Sequence, residues 1–412
     1  MAGSKTDRRI LRDLARQVAE IAALPVQQET IGLWKALNGL RPVRPMVLID
    51  QIPWHEMDVG GELKLLCRGE LARDLETRLG RTLYLWNHMR ADMVVEPVLD
   101  LGKVFRGEDW GIHVRQETAV TDPANDVLGH EYIDQLQTDA DIEKFHAPRM
   151  ELDDEATART EEQARDLLGG HLDVHMQGYH PWFRPWDILA MWHKPEGCLT
   201  DVALRPEFVH RIMDRLTAAH FALLDDLESR GLLCRPQSLI HCAGAWTDEL
   251  PAAGYDERRP RAKDLWTAGM AQIFSTVSPA MHKEFEIDYA EKWYARFGLG
   301  YYGCCEPLHD KIDLIRKLPR VRKISMSPWA DAAKGAERIG RDYVFSSKPS
   351  PALLAWDTWN PQAAQADLRR TLEECARHRC PVEFILKDIS TVRYQPQRLW
   401  EWADAAMKLV RG

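Results

Sequence analysis

The segment YYGCCEPLHD places two adjacent thiols, a carboxylate and an imidazole (Cys304, Cys305, Glu306 and His309) within six positions. Thiolate, imidazole and carboxylate are the ligands zinc takes, and a catalytic zinc needs about three of them with one position left open. Neighbours on an extended strand point to opposite faces, so only one of Cys304 and Cys305 is expected to face a common site. A mononuclear centre would then need help from another segment, and His241 in SLIHCAGAW is the best-placed donor. The competing reading is plain: cysteine is often an inert core residue, and Glu306 could simply pair with Lys348.

Other apolar runs change character in the same way at their far ends. MVLI is followed by Asp50 and Gln51, and LDVHMQ ends at Gln177 with Tyr179 and His180 beyond. RKISMSP closes on Ser325 and Ser327, DYVFSSKP on Ser347 and Lys348, and PVEFILKD on Lys387 and Asp388. The two lysines could hold an anion or polarise a carbonyl. Glu306, His241, Lys348 and Asp388 are the candidate catalytic groups. Asp50, Gln177, Tyr179 and Ser327 are candidate substrate contacts. The segment PWFRPWDILAMWH offers Trp182 and Trp186 as an aromatic wall, joined by Trp246, although tryptophan as core filler is an equal competitor. His220 shares its helix stripe with Leu216 and is expected to be a core histidine.

Elements must bring those ends together. From LDVHMQ onward, short apolar runs alternate with helical patterns, which argues for a parallel sheet covered by helices. The helix after Pro206 carries Ile212, Leu216, Leu223 and Leu227 on one face, with Gly231 as its stop. Ser278-Pro279 and Asn360-Pro361 read as helix starts. About seven or eight strand–helix units favour a closed (β/α)8 TIM-type barrel, whose catalytic groups gather at the C-terminal ends of the strands. Residues 1–40 read as an N-terminal helical extension and 41–412 as the barrel. Within the barrel, 55–165 hold insertions, a short strand over Gly111 to Val114, and a charged helix ending at Gly169-Gly170.

The bulk composition is an ordinary globular mixture that can bury a large core: 412 residues, 45% hydrophobic and 28% charged, with a net charge of −9. No basic run suggests nucleic-acid binding. The charged start MAGSKTDRRI lacks the apolar core of a signal peptide, and no apolar run is long enough to span a bilayer. The expectation is a cytoplasmic chain with reduced thiols. No dinucleotide fingerprint, P-loop, H-E-x-x-H or G-x-S-x-G pattern occurs.

The stretch from SPAMHKEF through YYGCCEPLHD and RKISMSPWADAAKGAERIG to DYVFSSKPSP resembles the C-terminal half of the uroporphyrinogen decarboxylase-like superfamily. That resemblance implies a TIM-type barrel, commonly dimeric. It also implies either tetrapyrrole decarboxylation or zinc-dependent methyl transfer to or from corrinoid proteins and thiols. The arginine-rich substrate grip of the decarboxylases is absent after the first strand, which reads IDQIPWHEMD. The methyltransferase branch fits better, with Cys304 or Cys305 at the metal-binding cysteine. Its preceding histidine is missing, and Lys348-Pro349 stands where its later cysteine would be, so Glu306, His309 or His241 would have to substitute. The resemblance therefore implies demethylation of a methoxy or methylamino small molecule, the methyl passing to a corrinoid on a partner protein. A carboxy-lyase acting on a polycarboxylate is the alternative.

Overall fold

The apolar runs become strands. The computed structural model describes residues 4–120 and 128–412. Eight strands are labelled here: β1 Met46–Ile49, β2 Val98–Gly102, β3 Asp173–Gln177, β4 Trp266–Gly269, β5 Leu299–Tyr302, β6 Val321–Met326, β7 Val344–Ser347 and β8 Val382–Leu386. Six of them form one parallel sheet in the order β1-β8-β7-β6-β5-β4. β2 and β3 form a separate parallel pair.

Alternation along these strands sorts the core into two layers. Met46, Leu48, Trp266, Ala268, Leu299, Tyr301, Val344 and Ile385 share one inner cluster. Their neighbours Val47, Tyr302, Ile324, Phe345, Phe384 and Leu386 face the other way, into the cluster shared with the helices. Both faces are buried, so the strands read as continuous apolar runs rather than alternating ones. Each large side chain so buried contributes ~1.5–3 kcal/mol.

The expected closed barrel is observed as this six-stranded sheet. Strand ladders do not complete the ring among the described residues. The gap is crossed by isolated links: Phe183 bridges Gly269 at the β4 edge, Tyr179 bridges Leu233, and Asp92 N donates to Val47 O over 3.0 Å at the β1 edge. Two local causes are visible. Pro181 removes a donor from the segment that would continue β3. SLIHCAGAW, expected as a strand, is a tight antiparallel turn in which Leu239–Ile240 pairs with Ala243–Gly244.

The N-terminal helices are α1 Lys5–Ala22, whose first turn is capped by Ser4 Oγ accepting from Asp7 N at 3.0 Å, and α2 Pro25–Asn38. α2 closes the lower end of the inner layer. Trp34 is fully buried there and donates from Nε1 to Asp92 O at 3.0 Å, while Asn38 Nδ2 reaches Gly244 O at 3.0 Å and Trp246 O at 2.8 Å. Above Trp34, Lys323 and Glu383 pair at 2.7 Å, both without solvent exposure, and Lys323 also donates to Gly244 O at 2.8 Å. Four further helices matter below: α3 Pro185–His193, α4 Pro206–Ser229, α5 Pro361–Arg377 and α6 Gln397–Arg411. Asn360 caps α5 through its side chain, and Gly231 stops α4 with a φ of +67°, as their residue types predict. No helix among the described residues is long and apolar enough to cross a membrane.

The middle of the chain is less regular. Short antiparallel ribbons join Gln116–Ala119 to Gly129–Tyr132 and Phe105–Arg106 to Glu151–Leu152. Gly111 to Val114 is not a strand. Gly111 has a φ of +89°, and a Cβ there would lie 1.9 Å from Lys144 O, so the chain turns sharply at a residue that only glycine can occupy.

Candidate active site

The pleat that puts Val344 on the inner layer also puts Ser346 and Lys348 there. By the same rule Lys387 follows Ile385 and Asp50 follows Leu48. The C-terminal ends of the six-stranded sheet therefore carry polar groups into one inner hollow. Lys348 lies deepest. Its Nζ is 2.6 Å from Tyr301 Oη and 2.7 Å from Ser346 Oγ, and those two hydroxyls are 2.9 Å apart. Ser325 Oγ donates to Cys304 O at 2.8 Å, tying β6 to the thiol loop. Lys387 Nζ is 3.4 Å from Cys304 Sγ and 3.1 Å from Asp388 Oδ2.

His241 enters from the tight turn, with φ angles of +44° at His241 and +66° at Cys242. Holding two non-glycine residues there costs on the order of 1–3 kcal/mol each. In return the imidazole is sandwiched between Tyr301 (centroids 4.9 Å apart, planes 12°) and Trp182 (5.6 Å, 27°). Its Nδ1 is buried without a hydrogen-bond partner.

The thiol pair departs from the expectation that only one cysteine faces the site. β5 ends at Tyr302, and Gly303 with a φ of +92° bends the chain, so strand alternation no longer applies. Both sulfurs turn the same way and lie 3.5 Å apart. Glu306 is fully buried and faces back into its own loop, accepting from Cys304 N at 2.9 Å and Ala271 N at 3.2 Å. His309 is 3.3 Å from Asp310. Among the described residues no three His, Cys, Asp or Glu side chains form a set that could hold a metal ion. Cys304, Cys305, Glu306, His309 and His241 thus do not fit a zinc centre in this arrangement, chiefly because the Glu306 oxygens already serve backbone N–H groups.

Electrostatics divides the lysines. Burial, with Lys387 nearby, lowers Lys348 to about 8. Burial alone would also lower Lys387, but Cys304 and Asp388 outweigh it and raise that amine. Hydrogen bonding to Cys304 lowers the half-exposed Cys305 thiol, whereas Cys305 and burial raise Cys304. Burial lowers His241.

Several expected contacts lie elsewhere. Gln177 bonds Asp100 at 2.7 Å and the backbone N of Arg235 at 3.1 Å. Tyr179 is partly buried against the outer core, its backbone N bonded to Leu232 O at 2.8 Å. Trp186 is core, packed 4.4 Å from the Phe274 ring and bonded to Phe285 O, and Trp192 is buried in the same cluster. Trp246 sits by Trp34 at the lower end, 6.3 Å between rings. Ser327 is not among the inner-layer groups but lines a cavity of about 270 Å³ with Ser347, Lys348, Asp331, Arg370 and Glu374. Of the aromatic wall, Trp182 alone stacks in the hollow. His220 is buried and bonded to Leu216 O at 2.7 Å, as expected of a core histidine.

Two contributors carried no reactive signature in sequence. Tyr301 and Ser346 lie inside apolar strands, where only period-two registration would single them out. A third, Asp187 on α3, accepts from Gln272 Nε2 at 2.7 Å and is raised to about 6, mainly by burial, with the nearby charge of Glu306 adding to the shift. Its one sequence signal is a lone acid in an otherwise apolar helix.

Compared with proteins of known structure, the chain is similar to a methyltransferase from Methanosarcina mazei. The likeness spans 92% of this chain and 97% of that one, with a TM-score of 0.51 and 15% identity. No family model and no curated protein matches the sequence. A likeness at that identity is one of fold.

Proposed function

We propose that this chain is a methyltransferase that removes a methyl group from a methoxy or methylamino small molecule bound in the strand-end hollow. The observation that carries the reading is the convergence of Tyr301, Lys348, Lys387, His241 and the thiol pair at the C-terminal ends of one parallel sheet, on a fold shared with a methyltransferase. The Trp182–His241–Tyr301 stack would seat a flat substrate, and Lys348 and Lys387 would orient its polar substituents. Asp187, protonated below about pH 6, would supply the proton that a departing oxygen or nitrogen needs. A corrinoid on a partner protein is the proposed methyl acceptor. A cytoplasmic setting and a homodimer belong to the same proposal.

Purified protein given free cob(I)alamin and a panel of methoxyarenes and methylamines tests this. The expected result is methylcobalamin formation, followed by absorbance, that is lost in Lys348→Met. Absence of methyl transfer from every donor class, with the protein folded, would overturn it.

A second reading, a carboxy-lyase acting on an anionic substrate, is favoured by one observation. Lys348 is buried and forms no carboxylate ion pair among the described residues, so a substrate anion would complete its surroundings. Release of carbon dioxide from a polycarboxylate, without cobalamin, would select this reading.

A further inference from the structure

Three lysines, Lys323, Lys348 and Lys387, are buried on the inner face of one sheet, and the first two are built differently. Lys323 is locked in an ion pair with Glu383 at 2.7 Å. Lys348, on the next strand and nearer the open end, has two hydroxyls and the Ser346 carbonyl oxygen, at 3.4 Å, around its nitrogen. Glu383, the acid closest in influence, is already engaged by Lys323. A permanently charged ammonium is costly to bury without an acid, whereas a neutral amine is not. The other cation of the hollow, Lys387, is held by Asp388 at 3.1 Å and repels a charge on Lys348. A desolvated lysine beside a second cation is the arrangement that makes an amine nucleophilic.

We propose that Lys348 is an amine nucleophile that forms an imine with a carbonyl-bearing substrate, an oxo acid whose carboxylate is received by Lys387. This inference does not depend on the methyl-transfer reading. The Nζ lone pair forms the C–N bond, and the carbonyl π pair moves onto oxygen. The proton released by nitrogen passes to that oxygen through the Tyr301 hydroxyl, which lies 2.6 Å from Nζ. Uptake of one further proton expels the oxygen as water and leaves a protonated imine. The lowering of Lys348 to about 8 is consistent with a usable neutral fraction at neutral pH. The two lysines carry opposed shifts, so Lys348 gives up its proton at a lower pH than Lys387 does.

The experiment is reductive trapping. Full-length protein is incubated with pyruvate and sodium borohydride, without cobalamin or added metal, and examined by intact mass and peptide mapping. One reduced adduct per chain, mapping to Lys348, is expected. Lys348→Met should remove it, and Tyr301→Phe should slow trapping by about 10²-fold or more. Acetone, which lacks the carboxylate, should trap more slowly than pyruvate in the native chain but not in Lys387→Met. No adduct, or one spread over surface lysines and unchanged in Lys348→Met, overturns the proposal. Should Lys348→Met fail to fold, the mapped position in the native chain decides alone. Cobalamin methylation is scored separately, so failure of either reading leaves the other standing.

Discussion

The lower and upper ends of the inner layer use the same residue types for opposite ends. Below, Lys323 and Glu383 neutralise each other beside Trp34 and Trp266, and Lys323 Nζ stands 5.3 Å from the Trp34 ring. Above, Lys348 and Lys387 share a space with thiols, a stacked imidazole and hydroxyls, and among the described residues only Lys387 has a carboxylate partner, the half-exposed Asp388. A buried charge satisfied from within is structure. A buried charge left with neutral partners is poised for something that arrives. The difference lies in partners, not in burial, since both lysines are almost wholly inaccessible.

The largest expected consequence is at the lower end. Glu383→Gln strands Lys323 without its counter-charge and should lower unfolding free energy by about 3–5 kcal/mol, read from urea denaturation. A loss below about 1 kcal/mol would dissolve the contrast. Next comes the acid of the upper end. Asp187→Asn should reduce turnover by about 10²–10⁴-fold while leaving the denaturation midpoint near the native one. Because burial raises Asp187 to about 6, its proton is present below that pH. Native activity should therefore fall as pH climbs through about 6, and the variant should lose this limb of the profile.

The smallest effect is a stability difference between Lys348→Met and the native chain. Lys348 is lowered in the folded state to about 8 from 10.5, so folding expels a proton and carries a penalty fully present below pH 8. The penalty fades as pH rises toward 10.5. Lys348→Met should be the more stable protein at pH 7, and the gap should shrink at pH 9.5. A gap constant with pH would mean that folding does not shift the lysine's titration.

How far the sequence foretold this follows from where polarity breaks the apolar pattern. Asp50, His241, Cys304, Lys348 and Lys387 were visible because each interrupts or ends an apolar run, and strand ends in parallel sheets are where sites form. Tyr301 and Ser346 were hidden inside runs, since a strand buried on both faces leaves no alternation to read. Trp186 and Gln177 were misplaced for a related reason: a polar neighbour in sequence does not reveal which face a side chain takes. Glu306 shows the limit of motif reading. Its type and position suggest a ligand, yet the bend at Gly303 aims it at backbone N–H groups. The ring of strands was inferred from counting units, and Pro181 and the His241 turn are where counting fails.

The seal formed by Trp34 has an implication for traffic. With the lower end plugged by a fully buried indole and a closed ion pair, any molecule reaching Lys348 must come from the strand-end side, and whatever is made must leave by that same side. Arrival and departure are then mutually exclusive, and a lingering product would act as its own barrier to the next encounter.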